Sequence, residues 1–159
     1  MHRLAVAIAL VLALAAAERA PPSAPEIRDA WARATPAGAK TGASYATLVN
    51  GGTTADRLVA VATPVAGRTQ LHGQSNDADI MRMEEVAAIE LEPGASATLK
   101  PGGRHIMLLD LTRPLKLGES FPMAFTFEKA GTIWTKVTVL KAGAMAATAA
   151  PAHDMGGMK

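Results

Sequence analysis

Residues 121–140 read FPMAFTFEKAGTIWTKVTVL. Two β-rich runs, Phe121–Phe127 and Ile133–Leu140, are parted here by Ala130-Gly131. Aromatic and β-branched side chains favour strands, and glycine interrupts them. The same texture extends toward the N-terminus. Tyr45–Val49 ends at the turn signal Asn50-Gly51-Gly52, and the apolar run Leu58–Val61 is bounded by Pro64. Ile89 and Leu91, then Ala97 and Leu99, alternate with polar residues around Pro93-Gly94, which predicts a hairpin. His105–Leu111 follows Pro101-Gly102-Gly103. Turn signals at intervals of 8 to 12 residues and the lack of a long 3.6-residue period predict an all-β Greek-key barrel or sandwich.

The ends of the chain read differently. Met1-His2-Arg3 is a short basic start, Leu4–Ala17 is unbroken apolar sequence, and the run closes on three alanines. This is the layout of a secretory signal peptide, expected over residues 1–17. The run is short for a membrane span, which needs about 20 apolar residues. No cysteine follows it, so a lipidated cysteine is not expected to tether the mature chain. Residues 18–25 (ERAPPSAP) read as a linker, residues 26–141 as the folded β domain, and residues 142–159 (AGAMAATAAPAHDMGGMK) as a flexible tail containing Met and His.

Composition removes several function classes. Lys and Arg number 16 against 14 Asp and Glu, and loss of Arg3 with the signal peptide brings the net charge from +2 to +1. With no Lys/Arg cluster, a nucleic-acid partner is not expected. The chain has no Cys. That excludes disulfides, thiol redox chemistry and a blue-copper site, which needs a Cys thiolate.

Four residues are the candidate metal ligands: His72, Met83, His105 and Met107, spaced His-x10-Met-x21-His-x-Met. Thioethers suit soft ions, so two imidazoles and two thioethers favour Cu(I). In a strand, residues i and i+2 share a face, so His105 and Met107 project together. Residues 72–83 read as strand, loop, strand, which returns Met83 toward His72. Met81 has no place in the pattern and reads as core or as support behind the ligands. Met123, Trp31, Tyr45 and Trp134 read as core or rim, and Asn50 as a turn former. Imidazole binds metal only when neutral, and its ordinary pKa is about 6.5. Cu(I) affinity is therefore expected to fall below about pH 6 and to be flat above neutrality.

These residues sit in segments that resemble the periplasmic copper chaperones called PCu(A)C. The resemblance is carried by DAWARATPAGAKTGASYATLVNGG (Asp29–Gly52), LHG (Leu71–Gly73), MRMEEV (Met81–Val86) and PGGRHIMLLDLTRPLKLGE (Pro101–Glu119). The family's ligand pattern falls on His72, Met83, His105 and Met107. The resemblance implies one Cu(I) on a cupredoxin-like β-barrel, and delivery of copper to cytochrome c oxidase, chiefly the dinuclear site of subunit II. One departure is Gly73, where many members carry Met; it removes a spare ligand. The tail holds His153, Met155 and Met158, similar to extensions in some members. It reads either as a second copper site, taking Cu(II) through His153 or Cu(I) through Met155 and Met158, or as an unstructured tail with chance Met residues.

The expected function is a monomeric periplasmic copper carrier without catalytic turnover. Its partner is oxidase subunit II or another copper-accepting periplasmic protein. The alternative is a general periplasmic copper-binding, storage or tolerance protein with no dedicated oxidase partner. A copper enzyme would need an open ligand position and a substrate pocket. A purely structural β-sandwich would leave the quartet's spacing without a purpose.

Overall fold

The computed structural model describes residues 24–77 and 80–147. The proposed signal peptide, most of the linker, and His153, Met155 and Met158 lie outside the described residues.

Ten strands follow one another: β1 Glu26–Arg33, β2 Thr41–Val49, β3 Asp56–Ala62, β4 Ala66–Asp77, β5 Ile80–Glu85, β6 Ile89–Leu91, β7 Ser96–Thr98, β8 His105–Leu111, β9 Ser120–Phe127 and β10 Gly131–Leu140. Among the described residues there is no α-helix. The all-β fold expected from the turn spacing is the one observed. The strands pair in the order β5-β4-β8-β2-β1-β10-β9-β3-β6, and β7 pairs with β2. Neighbours run antiparallel except β1 and β10, which are parallel. β2 serves two partners along one edge: β8 pairs with Thr41–Ser44 and β7 with Thr47–Val49.

Alternation builds the core. Phe121, Met123, Phe125 and Phe127 point inward from β9 and are almost wholly buried, while Ile106 and Leu108 do the same from β8. Leu48, Leu58, Leu71, Leu91, Leu99, Leu115, Val137 and Val139 complete one continuous cluster drawn from both halves of the strand order. Each large side chain so buried contributes roughly 1.5–3 kcal/mol.

Two readings need correction. The Pro93-Gly94 segment is not a hairpin. The Ala95 N–H donates to the Glu92 carbonyl at 3.0 Å and closes a turn, and Gly94 takes the positive φ of 70° that it requires. The strands on either side then part company, because β6 pairs with β3 and β7 with β2. The turn is a corner between the two halves, and three-residue strands leave little ladder to hold a hairpin together. The stretch read as a flexible tail also starts as packed structure. Ala144 is buried, and the Arg33 side chain donates to its carbonyl from Nε (3.1 Å) and Nη2 (2.9 Å). Packed sequence therefore continues through Ala147.

A bulge in β1 matters for the site. Pairing with β2 slips between Arg28 and Trp31, and Asp29 takes φ 51° there. A bulge adds a residue and re-aims the side chains beyond it. Trp31 thereby falls opposite Tyr45, and the two rings pack together, tilted by 33°, with centroids 4.5 Å apart.

Candidate metal centre

β4 is the spine of the site. Its partners are β5 on one side and β8 on the other. His72 lies directly opposite His105 of β8 and Glu85 of β5. One step along the same face, Gln70 lies opposite Met107; one step the other way, Gln74 lies opposite Met83. Side chains two residues apart share a face, and directly opposed ones stand about 5 Å apart at Cβ. The fold thus puts His72, Met83, His105 and Met107 on one face of three adjacent strands. The two imidazoles form the centre, with ring centroids 5.1 Å apart, and a thioether flanks them on each side. On the reverse face Leu71 and Ile106 are buried in the core, which fixes the backbone that carries both histidines.

His72, His105 and Met107 are half-buried, whereas Met83 is 41% exposed. The site is open on the β5 side because β5 is an edge strand, exposed along all six residues. This also corrects the reading of Met81. It shares the face of Met83, but at 62% exposed it is neither core nor support behind the ligands. Among the described residues the outer end of this edge strand is left uncovered. Trp134 is a rim residue at 62% exposed, and Met123 is core. Asn50 is the turn former expected: buried, it donates from Nδ2 to the carbonyls of Thr54 and Leu91 and accepts from the Gly52 N–H.

The histidines are held by hydrogen bonds. His105 Nδ1 lies 3.0 Å from the Gly103 carbonyl. His72 Nε2 lies 3.1 Å from Gln70 Oε1, and Gln70 Nε2 donates to Glu85 Oε2 at 2.9 Å. Tyr45 sits beside His105 with centroids 6.5 Å apart, so an aromatic row runs from His72 through His105 and Tyr45 to Trp31. Arg33 lies over the Tyr45 ring, 5.9 Å from its centroid. Burial lowers the pKa of His72 below the ordinary imidazole value; the neighbouring His105 lowers it further and Glu85 opposes both. Among the described residues no three His, Asp or Glu side chains gather as a ligand set. A metal on this face would need the thioethers.

Gln70 and Glu85 were not singled out from sequence, and Tyr45 was read only as core or rim, which its burial bears out. Gln70 shares the face of His72 by simple alternation, so its placement was legible. Glu85 and Tyr45 come close only through strand register.

Gly73 faces away from the quartet. It is buried, and a Cβ there would meet Val86 Cγ1 at 3.1 Å. A methionine at this position points to the other side of the sheet, so it is not a spare ligand for this site. Gly73→Met is expected to leave Cu(I) affinity unimproved and to lower stability by about 1–3 kcal/mol through overpacking against Val86. Urea denaturation of the apo-protein alongside a Cu(I) titration checks both.

A family model described as "LpqE-like: Putative lipoprotein LpqE-like" matches residues 26–139. A putative lipoprotein of Leifsonia xyli subsp. xyli (strain CTCB07), Lxx21020, is 29% identical over 109 residues, covering 67% of this chain and 64% of its own length. The chain spans less than two thirds of the length of the curated relatives it matches. Among solved structures, the copper-bound PCuAC domain from PmoF2 is 28% identical, with a TM-score of 0.65 over 77% of this chain and 97% of that domain. The solution structure of CuI-DR1885 from Deinococcus radiodurans is 30% identical, with a TM-score of 0.55 over 80% of this chain and 83% of that one. The chain belongs to the LpqE-like family, and its β domain is of the PCuAC type.

Proposed function

We propose that this protein is a periplasmic copper carrier that binds one Cu(I) through His72, Met83, His105 and Met107 and passes it to an acceptor such as cytochrome c oxidase subunit II. The observation that carries the reading is the convergence of the quartet on one sheet face, around two imidazoles 5.1 Å apart. Residues 35 positions apart in sequence meet there with no Cys and no cluster of carboxylates. The copper-bound state of similar PCuAC domains supports the choice of metal.

The chemistry follows from the ligands. Neutral thioethers and imidazoles hold Cu(I) without a thiolate's negative charge, so retention is moderate and release by ligand exchange is feasible. An exported thioether site cannot be lost to disulfide formation, although its methionines can be oxidised to sulfoxides. The exposed Met83 gives an incoming ligand a point of attack. Nothing in this sequence of steps requires turnover. The decisive experiment is transfer of Cu(I) from loaded protein to a purified soluble subunit II domain. Transfer supports a delivery role, and tight binding without transfer points to storage or tolerance.

Protons compete with copper for the imidazoles. Burial lowers the His72 pKa, so this ring stays neutral to more acidic pH than free histidine before it stops binding. Apparent Cu(I) affinity is expected to be flat above neutrality and to weaken in the acid range, below about pH 6. Competition titrations from pH 5 to 8 measure this. An affinity that does not change down to pH 5 would count against both histidines as ligands.

A further inference from the structure

Gln70 lies between a carboxylate and a metal-ligand imidazole, and that decides which way its amide faces. The Glu85 carboxylate only accepts hydrogen bonds, so the Gln70 NH2 must face it, as the 2.9 Å contact requires. The Gln70 carbonyl oxygen is then turned to His72 Nε2, 3.1 Å away. A flipped amide would set its carbonyl oxygen against the carboxylate and lose that bond. An amide oxygen also only accepts, so His72 Nε2 is the donor and carries the proton. In the neutral ring the lone pair is then on Nδ1. The arrangement at His105 is the reverse. Its Nδ1 faces the Gly103 carbonyl, another pure acceptor, so Nδ1 carries the proton and Nε2 the lone pair.

Ligand histidines characteristically donate their other ring N–H to a carboxylate or carbonyl, which fixes the tautomer and the ring plane. Both histidines here meet that condition, with opposite nitrogens. We propose that Gln70, oriented by Glu85, is a positioning residue that commits His72 to bind Cu(I) through Nδ1, while His105 binds through Nε2. The inference rests on the copper reading above. It adds the atoms that bind and a relay, Glu85 to Gln70 to His72, whose first two members lie outside the quartet. Glu85 lies opposite His72 in register, so the relay spans two strands and also ties the edge strand β5 to the spine of the site.

Cu(I) is diamagnetic, so the test is direct. Long-range 1H–15N spectra of 15N-labelled protein are recorded before and after loading with one equivalent of Cu(I). The expected result is that the His72 Nε2–H and the His105 Nδ1–H both persist on loading, while His72 Nδ1 and His105 Nε2 shift. Loss of the His72 Nε2–H with a shift of His72 Nε2 would overturn the assignment and leave the copper site standing. Absence of any response from either ring would instead sink the copper site. In Gln70→Leu, whose change lies on the outer face, the expected Cu(I) affinity is about 10- to 100-fold weaker, with an otherwise unchanged amide spectrum. Affinity within twofold of the parent would overturn the positioning role.

Discussion

The Met83→Leu/Met107→Leu double variant is expected to bind Cu(I) about a thousandfold more weakly than the parent, a loss of about 4 kcal/mol. Both thioethers lie on the face of the histidine pair, one opposite Gln74 and the other opposite Gln70. Leucine has nearly the same volume as methionine, and such swaps cost less than about 1.5 kcal/mol even in a core. Met83 is 41% exposed and Met107 half-buried, so the fold should survive. What disappears is the soft half of the ligand set. Two imidazoles remain, and they suit several harder ions as well as copper. An anaerobic titration against a competing Cu(I) chelator measures the effect. If the double variant held Cu(I) as tightly as the parent, the quartet would be the wrong site.

Removing the Asp56 carboxylate is expected to cost about 3 kcal/mol of folding stability. Asp56 is 8% exposed at the start of β3. Its Oδ1 accepts from the backbone N–H of Arg57 (2.8 Å) and of Lys129 (2.9 Å), and its Oδ2 from that of Ala130 (2.9 Å). One side chain therefore pins the β9–β10 turn to β3. In Asp56→Ala three donors lose their partner, and an unsatisfied buried donor costs about 1–3 kcal/mol. Water can reach part of this site, which keeps the sum toward the lower end. Asp56→Asn is expected to fall between, because its amide nitrogen would confront one of the donors. The carboxyl also couples stability to pH. Burial raises its pKa, but the three backbone donors together with the Lys129 charge outweigh burial and the net shift is downward. A carboxyl with a depressed folded pKa stabilises the fold above its unfolded pKa of about 3.9, and that contribution is lost as pH falls through the folded value. Urea melts of parent and Asp56→Ala should therefore differ most near neutrality and converge in strong acid. A gap that stays constant down to pH 2 would remove the charged carboxylate from the explanation.

Strand existence and facing were open to a reading of residue types. The runs around Phe121–Phe127 and Gly131–Leu140 form adjacent antiparallel strands. The pairing of His105 with Met107 on one face needed only the two-residue period. Partner choice was not open in the same way. Nothing in the short runs Ile89–Leu91 and Ser96–Thr98 says that they join β3 and β2 rather than each other. The bulge at Asp29, which turns Trp31 onto Tyr45, leaves only a faint mark in the sequence: aspartate tolerates a positive φ better than most residues, but a single Asp in DAWAR does not announce a bulge. Ala144, in an Ala/Gly-rich stretch, is buried, and its carbonyl accepts from Arg33, 111 positions away.

The quartet shows both limits. Soft-ligand chemistry, the His-x10-Met-x21-His-x-Met spacing and strand alternation were sufficient to select four candidate ligands and to propose a metal for them, since each depends on residue type or on the local twofold period. The exposure of Met83, the reversed facing of Gly73, and the contact of Glu85 with Gln70 and so with His72 came only with the folded chain. They depend on register, on which strand lies at an edge, and on what packs behind the sheet. Those are set by contacts between segments far apart in the chain, where a shift of one residue would send every one of these side chains to the opposite face.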